Sequence, residues 1–360
     1  MSYSSGFGAA FHLHSNVLTI CNSVRPPLEN TSIDWTIDSV RRAYEEVHWP
    51  LLNDYLNRQL SYDTDILAAF SGVLNAERAT IGPTHWGLPC KILTWALFWD
   101  LNNKSLWRSN GRGQNISGLK SSEFSMIRRQ GFPSWSWTGW KISINPLFSW
   151  RKEGRKLRCL INYKKFEPFV HIHGVQLGKP VSISGTRSEN EGVEGFDPVR
   201  IRRLNRQLGG RWKSKHKLDP ELIPPADFHQ RVPQYCLLFI ASFSTLQVST
   251  MPRDKCSNGD RTYGLYTILT GDKNSHDCPG VWLDTEWREK QGLWPLEFIL
   301  LAIDVEKERL DKKVYFTMLI EYKELTAKHV AIAERVAIPE PFTLDQWRYA
   351  RPEPRWIALG

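Results

Sequence analysis

Residues 132–140 read Phe132-Pro133-Ser134-Trp135-Ser136-Trp137-Thr138-Gly139-Trp140. The alternation of large rings with small hydroxyls predicts a strand, because successive strand side chains point to opposite faces. On that reading Trp135 and Trp137 share a buried face. Ser134, Ser136 and Thr138 share the other, where small size permits close packing or solvent contact. Pro133 suits the start of a strand, where a missing amide is tolerated, and Gly139 permits a bulge or sharp turn before Trp140. Aromatic stripes are mostly core. We therefore read the stretch as a buried spine, with a stacking platform for a ligand as the alternative.

Upstream of this stretch the pattern is helical. Apolar residues recur at Val40, Ala43, Tyr44 and Val47, then at Leu51, Leu52, Tyr55 and Leu56, one face of a 3.6-residue period. Pro50 between them is expected to start a new helix or kink the old one. A second helix is expected from Thr64 as N-cap through Ile66, Leu67, Phe70 and Val73. A third is expected after Gly87-Leu88-Pro89, with Ile92, Leu93, Ala96, Leu97 and Trp99 as its stripe. Downstream the apolar runs are short, β-branched and aromatic: Leu157–Tyr163, Phe169–His173, Cys236–Phe243, Thr262–Leu269, Val281–Trp287, Leu296–Ile303, Val314–Tyr322 and Val330–Ile338. Turn residues separate them, which predicts strands. The expected fold class is α+β, a helical segment packed on a mainly antiparallel β sandwich or barrel-like part. The expected division is residues 1–35 as a tail, 36–130 helical and 131–360 β-rich, with a basic flexible insertion at about 178–232.

Composition narrows the function. The chain has 360 residues, 16 of them Trp, and a net charge of +9. No apolar run approaches the ~20 residues of a membrane-spanning helix, and the first 30 residues carry no basic start followed by an apolar stretch. A cytoplasmic location is the resulting expectation. Six cysteines without a C-x-x-C pair are expected to be reduced and buried. Charge is uneven: residues 151–217 hold 17 Lys and Arg against 6 Asp and Glu, a local +11. Its densest part, Arg200, Arg202, Arg203, Arg206, Arg211, Lys213, Lys215 and Lys217, is a candidate anion-binding stretch for nucleic acid or anionic lipid. A solvated insertion is the plainer reading, since no nucleic-acid module accompanies it. Ser182–Pro198 has the composition of a flexible loop.

Side chains suited to catalysis or metal binding are scattered. His12 with His14, and His171 with His173, are spaced to share a strand face, but no third ligand stands near either pair. Ser117-Gly118-Leu119-Lys120 matches S-x-x-K without its partner motifs. Asp63 and Asp65 are read as favouring a helix N-terminus, with Arg58 bridging to one of them. Glu321 and Glu334 are expected to pair across strands with Lys323 or Arg335. No catalytic residue, cofactor or metal ligand is assigned.

The ordered motifs resemble the heterokaryon-incompatibility (HET) family of filamentous fungal proteins. FPSWSWTGW is similar to that family's P-S-W-S-W-A-G-W signature, with Thr138 where Ala is usual. Tyr55-Leu56-Asn57-Arg58-Gln59-Leu60-Ser61-Tyr62-Asp63-Thr64-Asp65 resembles a Y-[ST]-x-R-x-L-[ST]-x-x-x-D block. It continues into Ile66–Gly72, where Phe70 falls in L-x-A-F-x-G. Trp86-Gly87-Leu88-Pro89 matches W-G-L-P. Met318–Tyr322, Glu334-Arg335-Val336, Trp347 and Leu359-Gly360 resemble the closing strands. The blocks S-Y-x-W-G, W-I-D-x-x-C-I-x-Q and W-x-x-Q-E of the family's N-terminal core do not occur. The resemblance thus covers about residues 40–145 and 235–360 of a C-terminal portion, with Val17–Cys21 as the last strand of the core.

The resemblance implies a role in non-self recognition during hyphal fusion and in cell death. It attributes the triggering activity to the N-terminal domain, similar in fold to TIR-type signalling domains, some of which cleave NAD. For this chain it implies a non-enzymatic regulatory or interaction region with protein partners.

Overall fold

The computed structural model describes residues 36–56, 58, 60–102, 124–144, 156–159, 166–170, 172–176, 179–183, 231–258, 261–271, 278–304, 314–325 and 330–360. The expected tail at 1–35, with its strand at Val17–Cys21, lies outside them.

The first amphipathic pattern forms one rod in three parts: α1 (Ile37–Ala43), a π-turn (Tyr44–His48) and α2 (Trp49–Leu56). Thr36 caps it, its Oγ1 accepting from the Ser39 amide at 3.1 Å. The disturbance expected at Pro50 takes the form of the π-turn, in which the Trp49 amide donates to Tyr44 O, five residues back. Widening the turn just before a proline relieves its lost donor and its clash with the preceding turn. The second helix, α3 (Ile66–Ile81), follows a 3-10 turn at Asp63–Asp65. Thr64 lies inside that turn and is not the cap. Asp65 takes the N-cap position, without a side-chain capping bond. Ile66, Leu67, Phe70, Leu74 and Ile81 are its buried face.

The third expected helix is cut short. A tight hairpin of β1 (Thr84–His85) and β2 (Leu88–Pro89) turns through Trp86 and Gly87 at φ 50° and 80°. Two successive positive φ values suit the turn that matches strand twist. Then come a single turn, α4 (Leu93–Ala96), and β3 (Trp99–Asn102), so Trp99 opens a strand instead of closing a helix.

The indole-rich stretch is not a strand. It is a compact knot of turns ending in a 3-10 turn at Trp137–Gly139. It joins β4 (Phe124–Arg128) to β5 (Trp140–Ile144), which pair antiparallel from Phe124 with Ile144 to Arg128 with Trp140. Because the backbone coils, there is no solvent face: residues 132–139 are all buried. The expected separation of rings from hydroxyls assumed a period of two that the turns break.

Next come β6 (Lys156–Cys159), which pairs with β3, then β7 (Phe166–Pro168) and the hairpin of β8 (His173–Gln176) with β9 (Lys179–Ser182). Among the described residues of the expected run Phe169–His173, only His173 lies in a strand. The start of the supposed insertion is ordered as β9, whereas Ser182–Pro198 beyond residue 183 and all of Arg200–Lys217 lie outside the described residues. The rest of the chain is β10 (Leu237–Leu246), β11 (Asp254–Asn258), β12 (Arg261–Thr267), β13 (Gly280–Asp284), α5 (Thr285–Gln291), β14 (Leu296–Asp304), β15 (Val314–Leu325), β16 (Val330–Ala337), β17 (Phe342–Thr343), α6 (Leu344–Tyr349) and β18 (Glu353–Leu359). The run Val281–Trp287 stops as a strand at Asp284, whose Oδ1 accepts from the Trp287 amide at 3.0 Å and starts α5. Trp347 lies on α6 and not on a closing strand.

Five strands close on themselves in the order β14, β15, β16, β18, β10 and back to β14. All neighbours run antiparallel except β16 and β18, which are parallel at Ala333 and Leu359. The fold is thus α+β, a helical front segment with a β-rich rear built on a closed barrel whose sheet is not purely antiparallel. Closure leaves no open edge among these five strands. β10 shows why both its faces are apolar. Leu237, Phe239, Ala241 and Phe243 enter the main core, while Leu238, with Cys236 just before the strand, enters a smaller cluster with Val175, Val232, Ile332 and Ala358. The main core is continuous from Val40 and Tyr44 on the rod, through Trp95, Trp135 and Trp137, to Phe298 and Leu319 in the barrel.

Candidate functional site

The knot spends its polar atoms on backbone groups of the segments around it. Ser134 faces the barrel: its amide donates to Gly360 O at 2.9 Å, its hydroxyl donates to the same oxygen, and its Oγ accepts from the Arg335 amide at 2.8 Å. Ser136 faces the front, donating to Trp86 O at 2.6 Å and accepting from the Thr138 amide and hydroxyl at 3.1 and 2.9 Å. Trp137 donates its indole N–H to Gly87 O at 3.1 Å, and Trp140 donates to Ser134 O at 2.7 Å. Trp99 on β3 donates to Trp135 O at 2.6 Å. Satisfying buried polar groups in this way is what a buried turn requires.

Three arginines complete it. Arg128 donates to the carbonyls of Arg129, Phe132 and Gly139 at 2.6, 2.6 and 3.0 Å, and meets Glu334 at 3.3 Å. Arg129 donates to the carbonyls of Thr138 and Trp140. Arg335, from β16, donates to Leu97 O and Trp99 O at 3.0 and 2.5 Å, with its guanidinium 4.2 Å from the Trp99 ring. A planar fork with several donors suits such carbonyl clusters better than a point charge does. Arg335 thus serves carbonyls and a ring, where an acidic cross-strand partner was expected. Glu321 and Glu334 stand opposite each other on β15 and β16. Glu321 pairs along its own strand with Lys323 at 2.6 Å, and Glu334 pairs with Arg128.

Gly139 is required by crowding. A Cβ there would meet the Pro133 carbonyl oxygen and lie 2.8 Å from Arg128 Nη1. Trp135 has a stacking partner within the chain, the His85 ring at 5.6 Å and 9°. The space a ligand platform would need is therefore filled by His85. Burial pushes the His85 imidazole down to about 4, so the ring is neutral at pH 7. The Trp135 indole nitrogen and His85 Nε2 are buried without a hydrogen-bond partner among the described residues.

The helical block packs against the same knot. Phe70 lies edge-on to Trp137 at 5.4 Å and tilts on Tyr55 at 4.8 Å. Tyr55 donates its hydroxyl to Ile66 O at 2.7 Å, and burial raises its pKa to about 12. Arg58 is exposed. The cations that reach Asp63 are Lys141 at 3.3 Å and Arg129 at 3.7 Å, both from the knot's flanks, and not the expected Arg58. Beneath the rod, His48 Nδ1 meets Glu77 Oε2 at 2.7 Å in a fully buried setting, its ring stacked on Tyr44 at 4.5 Å. The sequence reading passed over this pair. Its signal was a lone His and a lone Glu on the apolar faces of two helices.

Of the histidine pairs, only His173 is described, buried on β8; His12, His14 and His171 lie outside the described residues, as does Ser117–Lys120. Cys236 and Cys278 are buried as expected, whereas Cys90 is only half-buried, and burial pushes the Cys236 thiol up. Among the described residues no three His, Cys, Asp or Glu side chains gather as a metal site, and no helix is long and apolar enough to cross a membrane.

An open groove of about 180 Å³ lies away from the knot, lined by Thr245, Trp287, Gln291, Pro295, Leu296, Glu297, Ile320 and Glu321. Comparison with protein-family models, with curated proteins and with solved structures finds no match to this chain.

Proposed function

We propose that this chain is a regulatory, protein-binding region of a HET-type fungal protein. It acts in the cytoplasm, in non-self recognition and cell death, and does not itself turn over a substrate. One observation carries the reading. The signature residues Ser134, Ser136, Trp137 and Trp140 direct their polar atoms at carbonyls of the front segment, the knot and the barrel end. Residues used in this way set the geometry between two halves, which is the requirement for transmitting a binding event from one to the other.

Two measurements test it together. The purified chain is expected to leave NAD intact, and deletion of its coding sequence is expected to change the outcome of hyphal fusion between incompatible strains. NAD turnover by the isolated chain, or fusion outcomes unchanged by the deletion, overturns the reading.

The local +11 of residues 151–217 supports a second reading, an electrostatic binder of nucleic acid or anionic lipid. Binding of that kind weakens steeply with added salt. Affinity for a duplex of about 20 base pairs, or for phosphatidylserine vesicles, that does not fall between about 50 and 200 mM salt refutes it.

A further inference from the structure

The tip after α5 is apolar, exposed and firmly held. Leu293 and Trp294 are 77% and 78% exposed, so a neighbouring Leu and Trp stand in water. The helix behind them is anchored on several sides. Arg288 is buried and donates to Val248 O at 2.7 Å and to Gly292 O at 2.6 Å. Gly292 turns the chain at φ 60°. Trp287 Nε1 and Gln291 Nε2 donate to Glu321 at 3.3 and 3.1 Å. An aromatic anchor presented on a rigid support resembles the residues that dominate protein interfaces.

Pro295, next to Trp294, begins the groove that Glu297 and Glu321 line together. The cations meeting these carboxylates leave one of them under-compensated. Lys323 touches Glu321 at 2.6 Å, but its side chain is half exposed, and exposed pairs of this kind are worth little. Arg355 reaches Glu297 only at 4.0 Å. Its guanidinium lies 3.5 Å from the centre of the Phe243 ring and bonds Glu353 at 2.7 Å. Burial raises the Glu297 carboxyl above its usual range; Arg355 offsets this in part and the Glu321 carboxylate adds to it. What favours a further cation is the geometry: two carboxylates share one groove, and the arginine nearest Glu297 stands 4.0 Å away and is engaged elsewhere.

We infer that the Leu293-Trp294 tip and the groove floored by Glu297 and Glu321 form a docking site for an arginine-bearing segment of a partner protein. The guanidinium would lie against indole and carboxylate, and a neighbouring apolar residue would lie on Leu293. Arginine suits the site because it combines ring stacking with two-pronged carboxylate binding. The inference deepens the protein-binding reading and rests on it.

The test uses the full chain with ¹⁵N-labelled tryptophan and the peptide acetyl-Arg-Leu-Arg-amide, followed by NMR of the indole N–H groups. Saturable shifts of Trp287 and Trp294 are expected, with Trp99 and Trp137 unmoved. Affinity is expected to fall at least about ten-fold when citrulline replaces arginine, and by a similar factor in Glu297→Gln/Glu321→Gln and in Trp294→Ala; a tenfold loss corresponds to about 1.4 kcal/mol. Trp294→Ala alters only an exposed ring and keeps the test decisive should the double variant misfold. No shift at millimolar peptide, equal affinity for the citrulline peptide, or tip shifts that follow protein concentration without peptide overturns the docking site. Such a failure leaves the hyphal-fusion result untouched, so it is distinguishable from failure of the broader reading.

Discussion

Replacing Ser134 by Ala tests how the knot holds the barrel. Three changes follow from removing one oxygen. The hydroxyl bond to Gly360 O is lost, the Arg335 amide loses its acceptor at 2.8 Å, and a small void remains. Ser134 is fully buried, so water does not repair the loss. A net hydrogen bond is worth ~1 kcal/mol, and an orphaned buried donor costs a further ~1–3 kcal/mol. We expect a destabilisation of about 2–4 kcal/mol. Urea unfolding followed by tryptophan fluorescence gives the value from the shift in midpoint at constant slope. Ser71→Ala is the control, because its hydroxyl makes only an exposed bond to Ala68 O at 2.6 Å; its cost is expected within ~0.5 kcal/mol. If Ser134→Ala costs no more than Ser71→Ala, the hydroxyl is not a structural tie and the joint does not work as described.

Three further outcomes are expected. Gly139→Ala forces a Cβ against the Pro133 carbonyl and Arg128, and urea unfolding is expected to show a loss of about 3 kcal/mol, at the upper end of overpacking costs; a loss below ~1 kcal/mol contradicts the crowding. Glu77→Ala removes the hydrogen-bond partner of buried His48, and differential scanning should report a loss of about 2–4 kcal/mol, one net hydrogen bond plus an orphaned buried ring nitrogen, whereas a neutral result assigns the pair no structural role. His85 has its folded pKa lowered from 6.5 to about 4. The unfolded chain therefore takes up its proton first, and the stability this ring contributes is complete above pH 6.5 and lost as pH falls toward 4. That loss is about 3 kcal/mol at ~1.4 kcal/mol per pKa unit; His85→Phe should flatten the wild-type stability profile across this window, and an unchanged slope refutes the assignment.

The legibility of this chain follows the reach of its interactions. Strands β10, β12, β14, β15 and β16 were readable because apolar runs bounded by turn residues report local structure. The amphipathic faces of the rod and α3 were readable for the same reason. The knot misled because serine and tryptophan alternate there for packing, not for pleating; its turns are fixed by carbonyls of Trp86, Gly87 and Gly360, which lie far away in sequence. β18 has no apolar run of its own, because Pro354 and Arg355 dilute its pattern; only its end, Leu359, is marked, through the resemblance to closing strands, and its pairing with β10 and β16 comes from barrel closure. Arg335 was legible as a motif residue but not as a carbonyl clamp, since its targets, Leu97 O and Trp99 O, carry no side-chain signal. The groove was invisible for a related reason. Trp287, Glu297 and Glu321 come from three elements, and only the fold brings them together.

Hydrogen exchange at the indole nitrogens tests the joint most directly. Trp99, Trp137 and Trp140 each donate to a carbonyl in or beside the knot. If the knot is closed and shared by both halves, these protons exchange only through the opening that also releases the β10 amides, with the same free energy and the same urea dependence. Exchange at the rate of the exposed Trp294 indole, with β10 still protected, contradicts it.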